Sequence, residues 1–554
     1  MGGKLELEKQ LAIIIEGAVR QLAEKEGCTL PDNYKTLLET PKEERFGELS
    51  CNAAMQLAKA FRSNPKVIAA KITELIEGKH PAVEKTEIAG AGFINFYLKK
   101  QWYYDELALM ISRGEDYGSL ISDKPKTINV EYVSSNPTGP CHIGNARGGA
   151  IGDVIANVYR KAGWEVTKEF YLNDAGNQIK KFGESIYARY KQLTDPDFPF
   201  PEDGYKGQDV AGIAERFAKE NPEADKMPKE ELTEKAIAFG LENNVGNIRR
   251  VLEKYGINYD VWFSESTLHE SGAITKAIDF LRDKGAVYEK DGAVWFKATD
   301  YNCEKDEVLI RSNGIPTYFA SDIAYHLNKL KERNFDLAVN VWGADHHGHV
   351  HRLRMSMAAA GIDPERLRIV LMQLVHLVRG NETLRMSKRR GDMVTLDELL
   401  EEVPVDAVRY IFNSTNPNSH LDFDMDLAVK NTLDNPVFYV QYAHARICSI
   451  LRNVPPANTP ADYTKLTDKT EIALLAAMAD YSGVIKTAAD EFDPSKITKY
   501  VYDLASCFHS FYNACRVKNE DASLMNARLM LITACKNIIK SALTILGVSA
   551  PEEM

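Results

Sequence analysis

The chain has no C-x-x-C pair. Its eight cysteines, Cys28, Cys51, Cys141, Cys303, Cys448, Cys507, Cys515 and Cys535, are scattered. That pattern supplies neither a zinc ribbon nor a disulfide framework, so they read as reduced thiols that fill cores. No run approaches the roughly 18 apolar residues of a membrane span. The opening MGGKLELEKQ lacks an apolar signal core, and Glu6 stands where myristoylation requires Ser or Thr. The cytoplasm is therefore the expected location, with no membrane partner. Repeats of roughly 20 to 50 residues are missing as well, which excludes a solenoid or propeller. An excess of positive charge is also lacking: 68 Lys+Arg against 79 Asp+Glu give a net charge of −11. Non-specific coating of nucleic acid is excluded, although a local surface can still meet a polyanion. From Asn431 to the end, 12 Lys+Arg stand against 13 Asp+Glu, close to neutral.

What is present is ordinary globular material, 554 residues with 44% hydrophobic and 27% charged side chains, enough for three or four domains of about 150 residues each. Residues 1–120 read as a small α+β domain, with an amphipathic helix through Leu5, Leu7, Leu11, Ile14, Ala18 and Leu22, a helical stretch from Asn52 to Ile76, and a strand in GAGFINFYL. Residues 121–404 alternate strand and helix, the signature of an α/β Rossmann-like parallel sheet. An insertion is expected over about 174–300, where TDPDFPFPEDGYKGQD (194–209) interrupts the alternation. A further strand through Leu337, Val339 and Val341 leads to a helix ending at Gly361 and a strand from Ile369 to Val375. Residues 405–554 read as an α-helical bundle. Its last helix carries Leu529, Ile532, Cys535, Ile539, Leu543 and Leu546 at three- and four-residue steps and stops at Gly547.

Chemistry concentrates in EYVSSNPTGPCHIGNARGGAIGD, residues 131–153. Ile128, Val130 and Tyr132 alternate along a strand expected to end near Val133. Pro137, Gly139 and Pro140 then force a compact loop. His142, Ile143, Gly144 and Asn145 lead into a helix start rich in small residues: Ala146, Gly148, Gly149, Ala150 and Gly152. Free N–H groups and a positive dipole end favour an anion there, and an imidazole adds a donor to phosphate oxygens. Packing of a Gly-rich helix against a sheet accounts for the same small residues, so both readings stand.

Two later stretches bear on the choice. His346, His347, His349 and His351 cluster beside Asp345, but their spacing does not bring the set to one helical face, and no Cys or Glu completes a closed zinc site. No metal site is expected; Gly343, Asp345 and His346, at a strand end, read instead as contacts to the ribose or base of a nucleotide. Downstream, Leu384-Arg385-Met386-Ser387-Lys388-Arg389-Arg390-Gly391-Asp392 is either a solvated basic loop or a segment that closes on a triphosphate.

The element at 142–145 and the one at 385–389 together resemble the HIGH and KMSKS signatures of class I aminoacyl-tRNA synthetases, and within that class the chain is most similar to the arginyl-tRNA synthetases. The resemblance also rests on YLNDAGNQI (171–179), YDVWFSES (259–266), GIPTYFASDIAYH (314–326), GADHHGHVHRL (343–353), DAVRYIF (406–412), YVQYAHARI (439–447) and the terminal LGVSAPEEM. It implies a Rossmann catalytic domain, an N-terminal domain that touches the tRNA elbow, a C-terminal anticodon-binding domain and a monomeric enzyme. The implied reaction joins L-arginine to ATP, supplied with Mg²⁺, as arginyl-adenylate, and then passes the arginyl group to tRNA(Arg). By resemblance, His142, Asn145 and Lys388 serve catalysis, with Gly144, Gly343, Asp345, His346, Met386 and Ser387 also on ATP. Glu131, Asn136, His142, Glu265, Tyr318 and Asp322 hold arginine, whose planar guanidinium suits fixed carboxylates. Tyr439, Gln441, Tyr442 and Arg446 contact tRNA.

Three positions depart from the signatures: Asn145 replaces the last histidine of HIGH, and Arg385 and Arg389 replace the first Lys and last Ser of KMSKS. The rival readings are another class I synthetase, such as one for cysteine, whose expected zinc cluster is missing here, and a catalytically silent tRNA-binding paralogue.

Overall fold

The computed structural model describes residues 2–380, 382–384 and 394–554; Arg385, Met386, Ser387, Lys388 and Arg389 lie outside the described residues. At the N-terminus, α1 (Lys4–Glu26), α2 (Ala53–Phe61) and α3 (Pro65–Ile76) cover an antiparallel sheet ordered β1 (Leu38–Glu39), β2 (Leu49–Cys51), β4 (Phe93–Leu98), β3 (Val83–Ala89). Helix α4 (Lys100–Arg113) leads onward.

The central sheet has five parallel strands in the order β12 (Leu367–Met372), β11 (Leu337–Gly343), β5 (Thr127–Glu131), β6 (Glu165–Leu172), β7 (Val261–Ser264). Its crossovers include α5 (Ile143–Lys161) and α12 (His347–Ala359). The span 174–300 is therefore not one insertion. Helices α6 (Asn177–Gln192), α7 (Gln208–Glu220) and α8 (Lys229–Lys254) form a side unit with its own core around Phe182, Ile213 and Phe217. The chain then returns to the sheet as β7, which sequence reading missed because VWFS is too short for periodicity to show. After α9 (Ser266–Glu270) and α10 (Ala273–Asp283), a small antiparallel sheet of β8 (Val287–Lys290), β9 (Ala293–Phe296) and β10 (Glu307–Ile310) precedes α11 (Tyr318–Leu327), which continues as a π-turn over Asn328–Glu332.

The strand expected at 369–375 is also split. β12 ends at Met372, and β13 (Val375–Arg379) belongs to a separate sheet with β14 (Glu382–Leu384) and β15 (Leu421–Asp424). Short α13 (Leu396–Glu402), α14 (Val405–Phe412) and α15 (Met425–Ala428) lead to the helical bundle of α16 (Pro436–Asn453), α17 (Lys469–Ala479), α18 (Tyr481–Glu491), α19 (Ser495–Ala514) and α20 (Ala522–Leu546). Gly547 caps α20 with φ 65°, in the left-handed conformation that glycine adopts without strain.

Residues 469–491 and 522–546 do reach the length and mean hydropathy (1.3 and 1.5) of membrane spans, contrary to the sequence reading. Half and two thirds of those windows, respectively, are buried in the bundle, as core helices require.

Helix α5 joins these parts. Arg147, fully buried, donates to the carbonyls of Gln373 (2.7 Å) and Ser419 (2.9 Å). Two turns on, Asp153 accepts from Arg409 (2.5 Å) and Lys168 (2.6 Å), while Arg409 also donates to the carbonyls of Leu546 (2.9 Å) and Tyr255 (3.1 Å). Burial opposes ionisation of Asp153, yet the two cations outweigh it and hold its carboxyl below the ordinary carboxylate range. Removing one partner of such a pair strands a buried charge. Arg409→Met is therefore expected to destabilise the protein by about 3–5 kcal/mol, read as a lowered melting temperature, whereas Arg452→Met, at the surface, leaves it unchanged.

Candidate active site

The site forms where β5, β6, β7 and β11 end. Strand β5 stops at Glu131, two residues before the expected Val133, because Val133 (φ 68°) and Ser134 (φ 39°) turn into the left-handed region. A β-branched residue adopts that conformation only under constraint. The constraint is visible: Tyr259 Oη donates to the Tyr132 carbonyl (2.9 Å), Ser134 Oγ donates to Glu131 Oε1 (3.2 Å), and Ser134 Oγ accepts from the Tyr171 amide (3.1 Å). The loop beyond is supported by Asn244 of α8, whose Nδ2 donates to the Pro137 carbonyl (2.9 Å). Asn136 is exposed on it.

His142 caps α5. Its Nδ1 accepts from the Gly144 amide (3.1 Å), and Asn145 Oδ1 accepts from the His142 amide (3.1 Å), a reciprocal capping box. Asn145 thus has a structural task that the last histidine of the signature would have to perform differently. With Nδ1 accepting, the neutral His142 ring carries its proton on Nε2, and burial pushes its pKa down. The small residues of α5 serve packing more than ligand approach: a Cβ on Gly152 would overlap the Tyr132 ring, and one on Gly149 would lie 2.9 Å from Ile257 Cδ1.

The described chain re-enters at Val394 directly beside this loop. Val394 O accepts from the Ile143 amide (3.2 Å), and the Leu396 amide donates to Cys141 O (2.8 Å). The chain that follows the second signature is therefore anchored on the first.

Three of the carboxylates singled out in the sequence act on Tyr171 through their charge. Tyr171, half-buried against Phe263 and Tyr325, is raised in pKa by burial first and then by the charges of Glu265, Asp322 and Glu131. Glu265, nearly buried, has its pKa raised by burial and lies 3.6 Å from His269 Nε2. Asp322 Oδ2 lies 2.7 Å from His349 Nε2. Tyr318 is 57% exposed, with its Oη beside Gly176.

Glu131 is placed differently from its sequence reading: its Oε2 accepts from Lys329 Nζ at 2.6 Å, and Lys329 is fully buried. From there a polar chain runs upward, with Lys329 donating to Asn340 Oδ1 (3.2 Å), Asn340 to His326 Nε2 (2.9 Å), and His326 Nδ1 to the Asp322 carbonyl (2.7 Å). Beside it Glu169, buried, accepts from Arg333 (2.5 Å), Tyr325 (2.6 Å) and Asn129 (3.0 Å). Lys329, Tyr171 and Tyr325 escaped the sequence reading, and His349 entered it only as one of a histidine cluster, since their partners lie far away in the chain and no spacing rule links them.

Asp345 and His346 are exposed just past β11, 3.6 Å apart. His349 and His351 diverge, His351 Nε2 bonding to Asn302 O (3.2 Å), and no group of three or more metal-ligating side chains occurs among the described residues. On α16, Tyr439 stacks with Tyr502 (4.8 Å) and meets His509 (4.8 Å), Tyr442 stacks with His509 (5.9 Å), and Arg446 lies over Tyr512 (4.7 Å). Gln441 instead is buried and donates to Asp406 (2.8 Å) and Ser549 (3.0 Å), holding the C-terminus.

Three family models match the chain: the arginyl tRNA synthetase N-terminal domain over residues 9–98, the class I (R) tRNA synthetase catalytic domain over 107–448, and the DALR anticodon-binding domain over 440–554. An arginine–tRNA ligase of Caldanaerobacter subterraneus subsp. tengcongensis is 49% identical over 540 residues, 96% of each chain. One from Acetivibrio thermocellus is 46% identical over 99% of each. The fold is shared with Thermus thermophilus arginyl-tRNA synthetase, with a TM-score of 0.79 at 23% identity over 99% of this chain and 100% of that one. A parallel sheet with a capped imidazole at the start of its first crossover helix, continued into an anticodon-binding bundle, defines a class I aminoacyl-tRNA synthetase. Within that class the chain belongs to the arginyl-tRNA synthetase family, the arginine–tRNA ligases.

The polar chain under the site makes a pH prediction. Burial, reinforced by Lys329, lowers the His326 pKa to about 3. The unfolded chain takes up a proton there near the ordinary value of about 6.5, while the folded chain stays neutral. Stability from this residue is complete above that value and is lost as pH falls toward 3, by about 1.4 kcal/mol per pH unit. Between pH 7 and 5 the urea midpoint is expected to fall less for His326→Gln than for wild type.

Proposed function

We propose that the chain binds L-arginine with its guanidinium between Asp322, Glu265 and the Tyr318 hydroxyl, and ATP across the start of α5 and the end of β11. Glu265, just beyond the carboxyl end of β7, and Asp322 each face a histidine rather than a protein cation, and that unspent pair of carboxylates carries this reading. A guanidinium supplies a planar fork of donors that an ammonium lacks, so two carboxylates fixed on different elements select arginine over lysine. Glu131 is already balanced by Lys329, and the pair forms a floor of fixed charge. Asn136 on the exposed loop then takes the α-amino or carboxylate end.

In the first step an arginine carboxylate oxygen attacks the α-phosphorus, the bond to the β-phosphate breaks, and pyrophosphate leaves. ATP arrives as its Mg²⁺ complex, so the metal comes with the substrate. Neutral His142 donates from Nε2 to the α-phosphate oxygens, assisted by Gly144 and Asn145 at the helix start. Gly343, Asp345 and His346 hold the nucleoside, Met386 and Ser387 contact ATP, and Lys388 neutralises the departing pyrophosphate. In the second step a hydroxyl of the terminal tRNA ribose attacks the arginyl carbonyl and AMP leaves.

The tRNA(Arg) lies along the bundle, where Tyr439, Tyr442 and Arg446 offer stacking surfaces to unpaired bases. Gln441 spends its donors inside the protein and is assigned to the C-terminus instead. The N-terminal domain, residues 1–120, meets the elbow. The enzyme works as a cytoplasmic monomer.

Aminoacylation measured across twenty amino acids with bulk tRNA tests the reading: charging with arginine alone is expected, and charging with another amino acid or with none overturns it. Asp322→Asn is expected to raise the arginine KM roughly 10- to 150-fold, through loss of about 1.5–3 kcal/mol from a charge-assisted contact, with the ATP KM unchanged. Lys388→Ala is expected to lower the rate of adenylate formation more than the affinity for either substrate, as single-turnover pyrophosphate release will show.

A further inference from the structure

Asp322 is held unlike the other carboxylates of the pocket. Its Oδ2 meets His349 Nε2 at 2.7 Å, while Oδ1 accepts no hydrogen bond from the described residues. On the far side of the imidazole, Arg352 Nε donates to His349 Nδ1 at 2.8 Å, and Arg352 Nη1 donates to Glu307 Oε1 at 2.8 Å. The ring is fixed in place by Phe319 (5.6 Å) and Trp342 (5.7 Å).

The polarity of this chain has one solution. A guanidinium has only donors and is not deprotonated in proteins. His349 Nδ1 therefore carries a lone pair, and the single ring proton sits on Nε2, pointing at Asp322. An imidazolium would set N–H against N–H at Arg352. We infer that Glu307, Arg352 and His349 form a relay that keeps His349 neutral and oriented, so that Asp322 remains a full anion reserved for the cationic end of the substrate. His349 and Arg352 are positioning residues; neither touches arginine. The inference rests on the assignment of Asp322 to the guanidinium. Without Arg352, His349 can protonate, pair with Asp322 and compete with the substrate for its charge.

The test is the arginine KM between pH 6 and 8.5. Arg352→Met is expected to acquire an acid-side rise in arginine KM that wild type lacks, with the ATP KM unaffected. The double variant Arg352→Met/His349→Gln, which cannot form an imidazolium, loses that rise. At pH 8, His349→Ala raises the arginine KM about 10-fold with a smaller change in kcat, and His349→Gln, whose amide still donates, recovers most of the loss. An arginine KM in Arg352→Met that follows the wild-type pH dependence overturns the relay. So does equal impairment of His349→Ala and His349→Gln, a comparison that holds whether or not Arg352→Met folds. Asp322→Asn is run in parallel. If it leaves the arginine KM unchanged, the site assignment itself fails and the relay with it; if it raises the KM while the His349 and Arg352 variants do not, only the relay fails.

Discussion

The architecture depends on one buried ion pair, Asp153 with Arg409. It lies on the helix whose first turn carries His142, so the position of the imidazole is set by what grips the helix further along. Asp153 ties α5 to α14 and, through Arg409, to the last carbonyl of α20; Asn157 adds a second bond to that helix, at Ile545 O (3.0 Å). Arg147 does the same toward the segment after β12. A hydrophobic core continuous from α1 through the central sheet to the bundle completes the coupling. The anticodon-binding bundle is therefore part of the scaffold that aims the nucleotide site. Any displacement of α20 must either move α5 or strand a buried charge.

A second constraint is charge matching in the pocket. Glu131 and Asp153 face buried cations, Glu169 faces the half-buried Arg333, and all three are neutralised within the protein. Glu265 and Asp322 face histidines instead, and those bring no net charge when neutral. The negative charge left over matches the proposed binding of a cationic side chain there. This division is economical in desolvation terms, since a buried anion with its own partner costs little further when substrate arrives.

Much of this was legible in the sequence. The period-2 pattern at 128–132, the Gly caps and the three-and-four spacing of the last helix report burial directly, and they placed the sheet and the bundle. The signatures located His142 and the carboxylates. What escaped has a physical reason in each case. Val133 belongs by composition to a strand, but the tertiary bonds of Tyr259 and Ser134 force it to positive φ. Gly149 and Gly152 looked like room for a phosphate, while Tyr132 and Ile257 occupy that room. Asn145 read as a catalytic residue standing in for a histidine, and the structure adds its part in a capping box. Lys329, 198 residues from Glu131, sits on a π-turn that no local pattern announces. Gln441, in a motif read as RNA-facing, points into the protein because the C-terminal segment folds back over it.

The most direct test of the account is a crystal structure with a non-hydrolysable arginyl-adenylate analogue. The account predicts the guanidinium between Asp322 and Glu265 within reach of Tyr318, the phosphate mimic at His142 Nε2 and the first turn of α5, and the nucleoside over Gly343–His346, with Glu131 still paired to Lys329. A guanidinium bound away from Asp322, or a phosphate mimic that leaves His142 uncontacted, would contradict it.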